Sequence, residues 1–373
     1  MSEKTIGITG AGGFVGKHLV ARVSREEGWN VVAAGRETFA SDDALQAFAS
    51  MCDVIVHLAG ANRGDEDEIF QTNVSLAEKL VAACEAADAA PASIYASTTQ
   101  ADYNNPYGNS KRIAGETFAA WAEKCGAPHQ TLVIPNVYGA GCKPFYNSVV
   151  ATFCHQLTHG ETPEIHQDKE VEFICVSELV EEIVRRIKDP LSTTGRQRID
   201  GTARMTITDL LATLMSFQQA YFEKDVVPEL SDTTSRNLYA TFLSHIETDD
   251  LRHRPQLHTD DRGSLVEVIK LAQAGQVFFS TTKPGIVRGD HYHTRKIEWF
   301  CVLRGQATIR LRRVGGQEIK EFTVSGDKPE FISIPVMHTH NIENVGDEEL
   351  LTMFWCNEIF DAADADTFYE KVA

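Results

Sequence analysis

The chain has 373 residues and a mass of 41.3 kDa, with 43% hydrophobic and 24% charged residues. This composition is typical of globular proteins and excludes collagen-like, coiled-coil and disordered chains. The net charge of -18 argues against nucleic acid as a partner, because binding to a phosphate backbone needs a basic surface. At about 150 residues per domain, the length predicts two or three domains.

The sequence predicts neither a membrane segment nor export. No apolar stretch approaches the roughly 20 residues that span a bilayer, and the first residues lack the apolar core of a signal peptide. The 8 cysteines form no CxxC pair and are expected to be buried thiols in a reducing compartment. We therefore expect a cytoplasmic enzyme with no membrane partner.

Residues 4–190 alternate apolar runs with amphipathic stretches. The runs KTIGITG, NVVAAGR, DVIVHLAG, SIYAST and QTLVIPNVYG are typical of buried strands, and the stretches between them are typical of helices. This alternation predicts a doubly wound parallel sheet of the Rossmann type. The segment 41–51 is short for a strand and a helix, so one strand is expected to be reduced or missing.

The pattern changes after about residue 245, where the polar segment ETDDLRHRPQLHTDDRG predicts a connection between domains. Short strand-like runs follow: SLVEVIK, GQVFFSTT, EWFCVLRG, QATIRLRRV, EFTVSG, EFISIP and LLTMFW. Their regular spacing is typical of a β-sandwich or barrel. We expect an α/β domain over residues 1–245 and an all-β domain over residues 246–373.

A glycine-rich turn, TGAGGFVG over residues 9–16, follows the first strand and begins the first helix. The first glycine permits the tight turn, the second lets backbone N–H groups approach a pyrophosphate, and the third allows close packing of the helix on the strand. The positive end of the helix faces the phosphates. The turn therefore predicts a dinucleotide site formed by Gly10, Gly13, Phe14, Val15 and Gly16.

The end of the second strand indicates which dinucleotide is bound. Arg36 stands where an acidic residue would contact the ribose of NAD. A guanidinium can pair with the 2′-phosphate that such an acid would repel. NADPH is therefore the expected cofactor, and the alternative is that Arg36 is an ordinary solvated arginine.

Tyr107 and Lys111 are four residues apart in a predicted helix, so both lie on one face. The lysine is expected to favour the phenolate and so to lower the tyrosine pKa from its ordinary value of about 10. Such a tyrosine can donate a proton to a carbonyl oxygen while hydride reaches the carbonyl carbon. The run Ser97-Thr98-Thr99, at the end of a strand, supplies a hydroxyl for the same carbonyl.

With these features in this order, residues 4–190 resemble the extended short-chain dehydrogenase/reductase family and its nucleotide-sugar-modifying branch. The resemblance implies that Tyr107 is the acid, that Lys111 is its partner and a cofactor contact, and that Thr98 provides the hydroxyl. The run DVIVHLAG matches the branch's fourth strand, whose end, Leu58 and Ala59, lines the cofactor.

The chain also resembles this branch near the substrate, in the turn Asn136-Val-Tyr-Gly139. It departs from the branch at Val133, where many relatives have arginine, and at Ser177-Glu178, where two aspartates are commoner. These departures concern the substrate and leave the predicted reductase chemistry intact.

The C-terminal half contains a pair of histidine motifs. His291 and His293 alternate along one predicted strand, so both imidazoles are expected on one face, and Glu298 follows on the next strand. After a hairpin, His338 and His340 compete for the fourth position, because period-two counting places both on the same face. Three imidazoles and a carboxylate suit a borderline divalent ion such as Zn²⁺.

These motifs resemble the cupin superfamily, which forms jelly-roll barrels, with Met337 in place of the more usual glycine. The cupin spacing selects His340, so the implied ligands are His291, His293, Glu298 and His340. The alternative is a metal-free barrel, as in deoxysugar 3,5-epimerases, whose Asp-x-Arg-Gly start the segment 261–265 resembles.

A nucleotide-sugar reductase and a metal cupin in one chain suggest successive steps on one keto sugar. The combination resembles the bifunctional reductase–cupin enzymes of capsular polysaccharide and O-antigen synthesis. The resemblance implies a homodimer in which the cupin, with zinc, epimerises C3 of a UDP-4-keto-6-deoxy-HexNAc. The reductase domain then reduces C4 with NADPH, on the route to UDP-N-acetyl-L-fucosamine.

Two other functions are compatible with the sequence. One is a single-activity reductase of nucleotide-4-keto sugars with a structural metal in the cupin. The other is a non-catalytic sensor that binds NADPH and a sugar. The pair Tyr107 and Lys111 argues against the sensor, because a sensor has no need of an acid.

Overall fold

The computed structural model describes residues 3–189, 194–253 and 255–373. The chain divides into two compact units: Met1–Met215 with Asp232–Ile246, and Ser216–Ser231 with Glu247–Ala373. Residues 1–2 and 190–193 of the predicted first domain, and Arg254 of the predicted second, lie outside the described residues. The predicted boundary between residues 245 and 246 stays a prediction.

The first unit contains strands and helices in alternation. Its strands are β1 (Lys4–Thr9), β2 (Trp29–Ala34), β3 (Val54–His57), β4 (Ala92–Thr98), β5 (His129–Ile134), β6 (Asn136–Tyr138), β7 (Glu170–Cys175), β8 (Gly195–Arg198) and β9 (Ala203–Thr206). The helices are α1 (Phe14–Val23), α2 (Arg36–Phe39), α3 (Asp42–Met51), α4 (Glu66–Ala86), α5 (Pro106–Cys125), α6 (Val149–Thr158), α7 (Val176–Lys188), α8 (Ile207–Gln218) and α9 (Thr233–Leu243), of which α8 continues into the second unit.

A six-stranded sheet in the order β2-β1-β3-β4-β5-β8 forms the centre of this unit, and its strands pair in parallel. One apolar cluster packs α1 and α7 on one face through Leu19 and Ile183. A second packs α3, α4 and α5 on the other through Phe48, Leu80 and Phe118. The sheet is therefore buried on both faces, as its apolar runs predict.

The segment between β2 and β3 contains the short helices α2 and α3, and β2 lies at the sheet edge. Ser41 is the N-cap of α3, since its side chain accepts a hydrogen bond from the N–H of Ala44. The apolar side of α3 packs on the sheet through Leu45 and Phe48. The prediction of a missing strand is confirmed for this described segment.

A smaller sheet, β6-β7-β9, stands apart from the main one.

The second unit is built from antiparallel strands. They are β10 (Leu257–Asp260), β11 (Gly263–Leu271), β12 (Gly275–Thr282), β13 (Val287–Tyr292), β14 (Glu298–Arg304), β15 (Gln306–Arg313), β16 (Ile319–Ser325), β17 (Phe331–Ile334), β18 (His338–Asn344), β19 (Leu350–Cys356) and β20 (Phe368–Tyr369). They form two sheets, β10-β11-β12-β19-β14-β17 and β16-β15-β18-β13-β20.

One core lies between these two sheets, with Phe300 and Phe354 contributed by the first and Ile309 and Ile342 by the second. Facing antiparallel sheets around one core form the predicted jelly-roll barrel. The predicted fold class, a Rossmann-type domain followed by a jelly roll, is therefore confirmed. Among the described helices, none has both the length and the apolar character needed to cross a bilayer.

Candidate active sites

The glycine turn brings the β1–α1 connection against the end of β3. Gly10 has a positive φ of 66°, and a Cβ placed on it would lie 2.7 Å from the backbone nitrogen of Ala59. A Cβ on Gly16 would lie 2.2 Å from the oxygen of Gly10. Both positions require glycine, the first for its conformation and both for the close approach of backbone.

The predicted cofactor residues of this turn lie together. Phe14 and Val15 begin α1, and Gly13 precedes them in an extended conformation with no side chain to cap the helix. The first turn of α1 carries no acidic residue, so its N–H groups face no competing carboxylate of their own helix. The N–H of Ala59 donates to Thr9 Oγ1 at 3.2 Å, which fixes the Leu58–Ala59 segment beside the turn.

Arg36 is exposed at the start of α2, immediately after β2. Its guanidinium has no ion pair among the residues that the structure describes. A free cation at this strand end fits a 2′-phosphate, and the glycine cradle fits a pyrophosphate. The residues present therefore suit NADPH.

Tyr107 lies in the first turn of α5, where Asn105 caps the helix by accepting the N–H of Gly108 at 2.7 Å. A Cβ on Gly108 would lie 2.1 Å from the oxygen of Gln100. This close approach holds the start of α5 against the turn that follows Thr98. Thr98 Oγ1 accepts the N–H of Gln100 at 3.2 Å, and its own O–H remains able to donate.

The environment of Lys111 is apolar. Its side chain is buried, and Nζ lies 4.5 Å from the centre of the Tyr95 ring. Burial lowers the pKa of Lys111 to about 8, because desolvation disfavours the charged form. The aromatic face supplies a weak electrostatic attraction in place of a carboxylate.

The expected lowering of the Tyr107 pKa is wrong. Burial raises the pKa of Tyr107 above its ordinary value, because desolvation disfavours the phenolate. Lys111 does not offset that effect, although with a pKa of about 8 it remains mostly protonated near neutral pH. Tyr107 is thus held as a neutral phenol, the form that donates a proton.

Sequence reasoning missed Asn73, a buried residue of α4. Its side chain accepts the N–H of Ala61 at 2.7 Å and donates to the oxygen of Ala61 at 2.9 Å and to Ser110 Oγ at 3.0 Å. Ser110 in turn donates to the oxygen of Tyr107. Asn73 therefore joins the loop after β3 to the helix of Tyr107. The available signal was a polar residue on the apolar side of α4.

A cavity of about 720 Å³ opens in the first unit next to Asn136, the first residue of the predicted substrate turn. It is lined by polar and apolar side chains together, among them Asn136, Phe145, Gln156, His166 and Lys169.

Val133 is buried in β5, so it is not available to a ligand. Glu178 lies in the first turn of α7 and accepts hydrogen bonds from Cys175 N and Thr202 Oγ1.

In the second unit, the four predicted metal ligands converge. One ligand atom each of His291, His293, Glu298 and His340 lies within 4.8 Å of the others. His338 is not a member of this group. The prediction that both motif histidines lie on one strand is wrong in part, because β13 ends at Tyr292 and His293 lies just beyond it.

The strands of the barrel explain this convergence. His291 pairs with His340 across β13 and β18, where a bulge between Gly289 and His291 shifts the register. Glu298 is the first residue of β14. Met337, in place of the usual glycine, has a positive φ of 59°, and its N–H donates to the oxygen of His293 at 2.8 Å.

The cluster has the charge distribution that a cation needs. Burial lowers the pKa of His291 to about 4, which keeps this imidazole neutral. Burial alone would raise the pKa of Glu298, but the adjacent imidazoles of His293 and His340 lower it to about 2. His340 Nε2 is buried without a hydrogen-bond partner, although it lies 3.2 Å from Glu298 Oε2. This free imidazole nitrogen, together with the other imidazoles and the carboxylate of the cluster, provides the kind of ligand set that zinc prefers.

The depressed pKa of Lys111 predicts a pH-dependent stability. The unfolded chain binds more protons than the folded chain between the folded pKa of about 8 and the ordinary value of 10.5, so stability from this group rises with pH across that window. Compared with the wild type, Lys111→Met should be more stable near neutral pH by up to about 3 kcal/mol. That advantage should disappear by pH 10.5.

The measurement is the free energy of unfolding of both proteins, without cofactor, across this pH range. Lys79→Met, a substitution of an exposed lysine on α4, is the matched control and should show a constant difference from the wild type. A difference for Lys111→Met that does not change with pH would show that the ammonium is not desolvated.

Comparison with known proteins places the chain in a family. The model of the NAD dependent epimerase/dehydratase family matches residues 6–197, and that of the polysaccharide biosynthesis C-terminal domain matches residues 258–368. The UDP-2-acetamido-2,6-beta-L-arabino-hexul-4-ose reductase of Pseudomonas aeruginosa is 33% identical over 365 residues, which is 97% of each chain.

Solved structures agree with these matches. The capsular polysaccharide assembling protein CapF from Staphylococcus aureus is similar with a TM-score of 0.88 at 36% identity, over 98% of this chain and 100% of that one. The UDP-N-acetylglucosamine 4-epimerase from Bacillus cereus shares the fold at 19% identity and a TM-score of 0.55, over 68% of this chain and 99% of that one. The chain belongs to the NAD dependent epimerase/dehydratase family, in the group that carries a polysaccharide biosynthesis C-terminal domain and includes CapF and the Pseudomonas reductase.

Proposed function

We propose that this chain is a bifunctional enzyme acting on a UDP-4-keto-6-deoxy-HexNAc. The second unit epimerises C3 with zinc, and the first unit then reduces the C4 ketone with NADPH. The product is a precursor for capsule or O-antigen synthesis on the route to UDP-N-acetyl-L-fucosamine. The observation that carries the proposal is the presence of two separate reactive groups, Tyr107 with Lys111 in one unit and the His291 cluster in the other.

The relatives support the substrate class. The Pseudomonas protein is named UDP-2-acetamido-2,6-beta-L-arabino-hexul-4-ose reductase, and it matches this chain over nearly its whole length. A CapF structure contains the inhibitor 3-isopropenyl-tropolone. Tropolones carry a carbonyl and a hydroxyl oxygen on adjacent carbons and chelate metal ions, so this inhibitor fits a metal-dependent step.

In the reduction, the first unit must orient the C4 carbonyl group and protonate its oxygen. NADPH supplies the hydride that reaches C4. Tyr107, held as a neutral phenol, donates its proton to the C4 oxygen, and the C=O double bond becomes an alcohol. Lys111 lies one helical turn away and stabilises the phenolate that remains. Thr98 donates a hydrogen bond to the same oxygen and so orients the ketone.

The cavity beside Asn136 suits the nucleotide of this substrate. Lys169 and His166 in its lining offer nitrogen groups for a phosphate, while Phe145 and Phe153 offer apolar surface for a base. Its volume of about 720 Å³ is within the range of small-molecule sites. We propose that the uridine diphosphate binds here and places the keto sugar near Tyr107.

In the epimerisation, the C4 carbonyl acidifies the proton on C3. A bound zinc ion supplies Lewis acidity that stabilises the negative charge of the resulting enolate. His291, His293, Glu298 and His340 would hold the ion, with one carboxylate charge and three neutral imidazoles. Epimerisation must precede reduction, because reduction removes the carbonyl that acidifies C3.

The proposal includes a homodimer in the cytoplasm. The second unit exposes Trp299 and Phe331, whose rings are 5.8 Å apart on neighbouring strands, and Trp299 also contacts Trp355 at 5.6 Å. Trp299 is 46% and Phe331 57% exposed. An apolar patch of this kind is a surface that a second copy could cover.

Replacement of the proposed acid tests the reductase. In Tyr107→Phe, oxidation of NADPH by a UDP-4-keto-6-deoxy-HexNAc should fall by about 10²–10⁴-fold, because no group protonates the C4 oxygen. Absorbance of NADPH measures the rate. Tyr103→Phe removes an exposed phenol four residues earlier and should keep full activity. Equal rates for Tyr107→Phe and the wild type would remove Tyr107 from this role.

Hydrogen exchange at C3 tests the epimerase separately. In the Tyr107→Phe background, which blocks reduction, solvent deuterium should enter C3 of the 4-keto sugar, as detected by NMR or mass spectrometry. Addition of His291→Ala should abolish this exchange, whereas His258→Ala, at an exposed position of β10, should leave it intact. Exchange that continues after removal of the metal would contradict the zinc-dependent step.

The choice between His338 and His340 is testable by metal analysis. The His340→Ala variant should lose most of its zinc after dialysis, because it removes a ligand from the buried cluster. The His338→Ala variant, which alters the next histidine on the same side of β18, should retain one zinc per chain. The reverse pattern would transfer the fourth ligand position to His338.

A further inference from the structure

The last residues of the chain lie along the strands that carry the metal ligands. We define residues 364–372 as the C-terminal strap. Within it, β20 pairs with β13, placing Tyr369 opposite His291 and Phe368 opposite Tyr292. The rings of Tyr292 and Phe368 stack with their centres 5.3 Å apart. The strap is therefore a part of the barrel wall beside the cluster.

Asp366 is the most constrained residue of the strap. It is only 6% exposed, and its φ of 42° lies in the left-handed region that non-glycine residues rarely adopt. Its carboxylate accepts hydrogen bonds from the N–H and the hydroxyl of Thr294, at 3.1 Å and 2.5 Å. It also accepts the N–H groups of Arg295 and Lys296, both at 2.9 Å.

These donors all belong to the turn between two metal ligands. Thr294, Arg295 and Lys296 are three of the four residues between His293, just after β13, and Glu298, at the start of β14. A turn of this length could adopt several conformations, which would move the two ligands relative to each other. One carboxylate that accepts three successive N–H groups selects one of them.

The backbone of Asp366 contacts a ligand directly. Its carbonyl oxygen lies 2.6 Å from His293 Nδ1. A carbonyl only accepts, so Nδ1 must carry the proton, and the lone pair of a neutral His293 is then on Nε2. Nε2 is the atom that faces Glu298, at 3.2 Å. The strap thus sets the tautomer that a metal ion requires.

The strap also contacts the neighbours of the other two histidines. The N–H of Glu370 donates to the oxygen of Asp290 at 2.9 Å, next to His291. Thr339, next to His340, donates its hydroxyl to the oxygen of Glu370. Arg312 anchors this end through an ion pair with Glu370 at 2.8 Å and a bond to the oxygen of Val372 at 2.9 Å.

We propose that Asp366 is a positioning residue of the metal cluster, whose carboxylate fixes the turn between His293 and Glu298 and whose carbonyl fixes the tautomer of His293. The inference rests on the proposed function, since it requires that the cluster binds zinc. It adds that zinc affinity depends on an acid 73 residues distant from His293 in sequence.

The test is the zinc affinity of the full chain, measured by competition with a chromophoric chelator, together with thermal unfolding of the metal-depleted protein. Asp366→Asn keeps the size of the side chain but directs an amide N–H₂ toward donors. We expect its zinc affinity to fall about 10–100-fold. Asp364→Asn makes the same change in the same strap, at a side chain that is 70% exposed and paired with Arg295, and should keep wild-type affinity.

A second variant covers the case in which Asp366→Asn fails to fold. Thr294→Val removes one of the donors to the carboxylate with little change in shape, and its zinc affinity should be measurably lower than that of the wild type.

A role in stability alone would lower the unfolding temperature of Asp366→Asn equally with and without zinc, at unchanged affinity, and that result would overturn the inference. Where Asp366→Asn does not fold, wild-type affinity in Thr294→Val would do the same. Failure of the wild type itself to bind zinc would instead overturn the proposed metal site.

Discussion

Glu298 is the group on which the second unit depends most. A buried carboxylate is costly unless charged or polar partners compensate for its lost hydration. Here the partners are the imidazoles of His293 and His340, each 3.2 Å away. Three strands must therefore converge at one point, and the bulge in β13 and the left-handed Met337 before β18 are the backbone features that allow it. The barrel core supplies the rigid frame.

The first unit contains a buried cation, Lys111, which has also lost its hydration. The ammonium of Lys111 is buried with no ion pair among the described residues, and it lies over the ring of Tyr95. Desolvation lowers the pKa of Lys111 to about 8 and raises that of Tyr107, so near neutral pH the phenol is neutral while the lysine still carries most of its charge. A site of this kind is prepared for proton donation. Asn73 keeps the loop after β3 and the helix of Tyr107 in register.

Much of this arrangement could be predicted from the sequence, because local spacing carries it. The glycines of residues 10–16 lie in one turn, and Tyr107 and Lys111 lie in one helix. In both cases the spacing along the sequence is enough to predict which residues lie together. The four proposed metal ligands also lie within two short motifs. β13 and β18 were predicted as strands only through the spacing of their histidines, because VRGDHY and HTHNIEN are polar and lack the apolar alternation of their neighbours.

Other features depend on tertiary structure and left no signal in the sequence. The segment 216–231 groups with the second unit, where Val227 bridges to Leu271, although its composition is that of the helical region before it. The raised pKa of Tyr107 follows from burial, which spacing does not reveal. Asp366 looks like any acid of a polar tail, and only the folded barrel places it against Thr294.

The coordination of zinc in the full-length protein tests the account most directly, and X-ray absorption at the zinc edge measures it. Only nitrogen and oxygen neighbours, at about 2.0–2.2 Å, are expected from three imidazoles and one carboxylate. Cys356 lies opposite Glu298 in the paired strand β19, so a sulfur neighbour is a real alternative. A sulfur shell at about 2.3 Å would contradict the assignment of the four ligands.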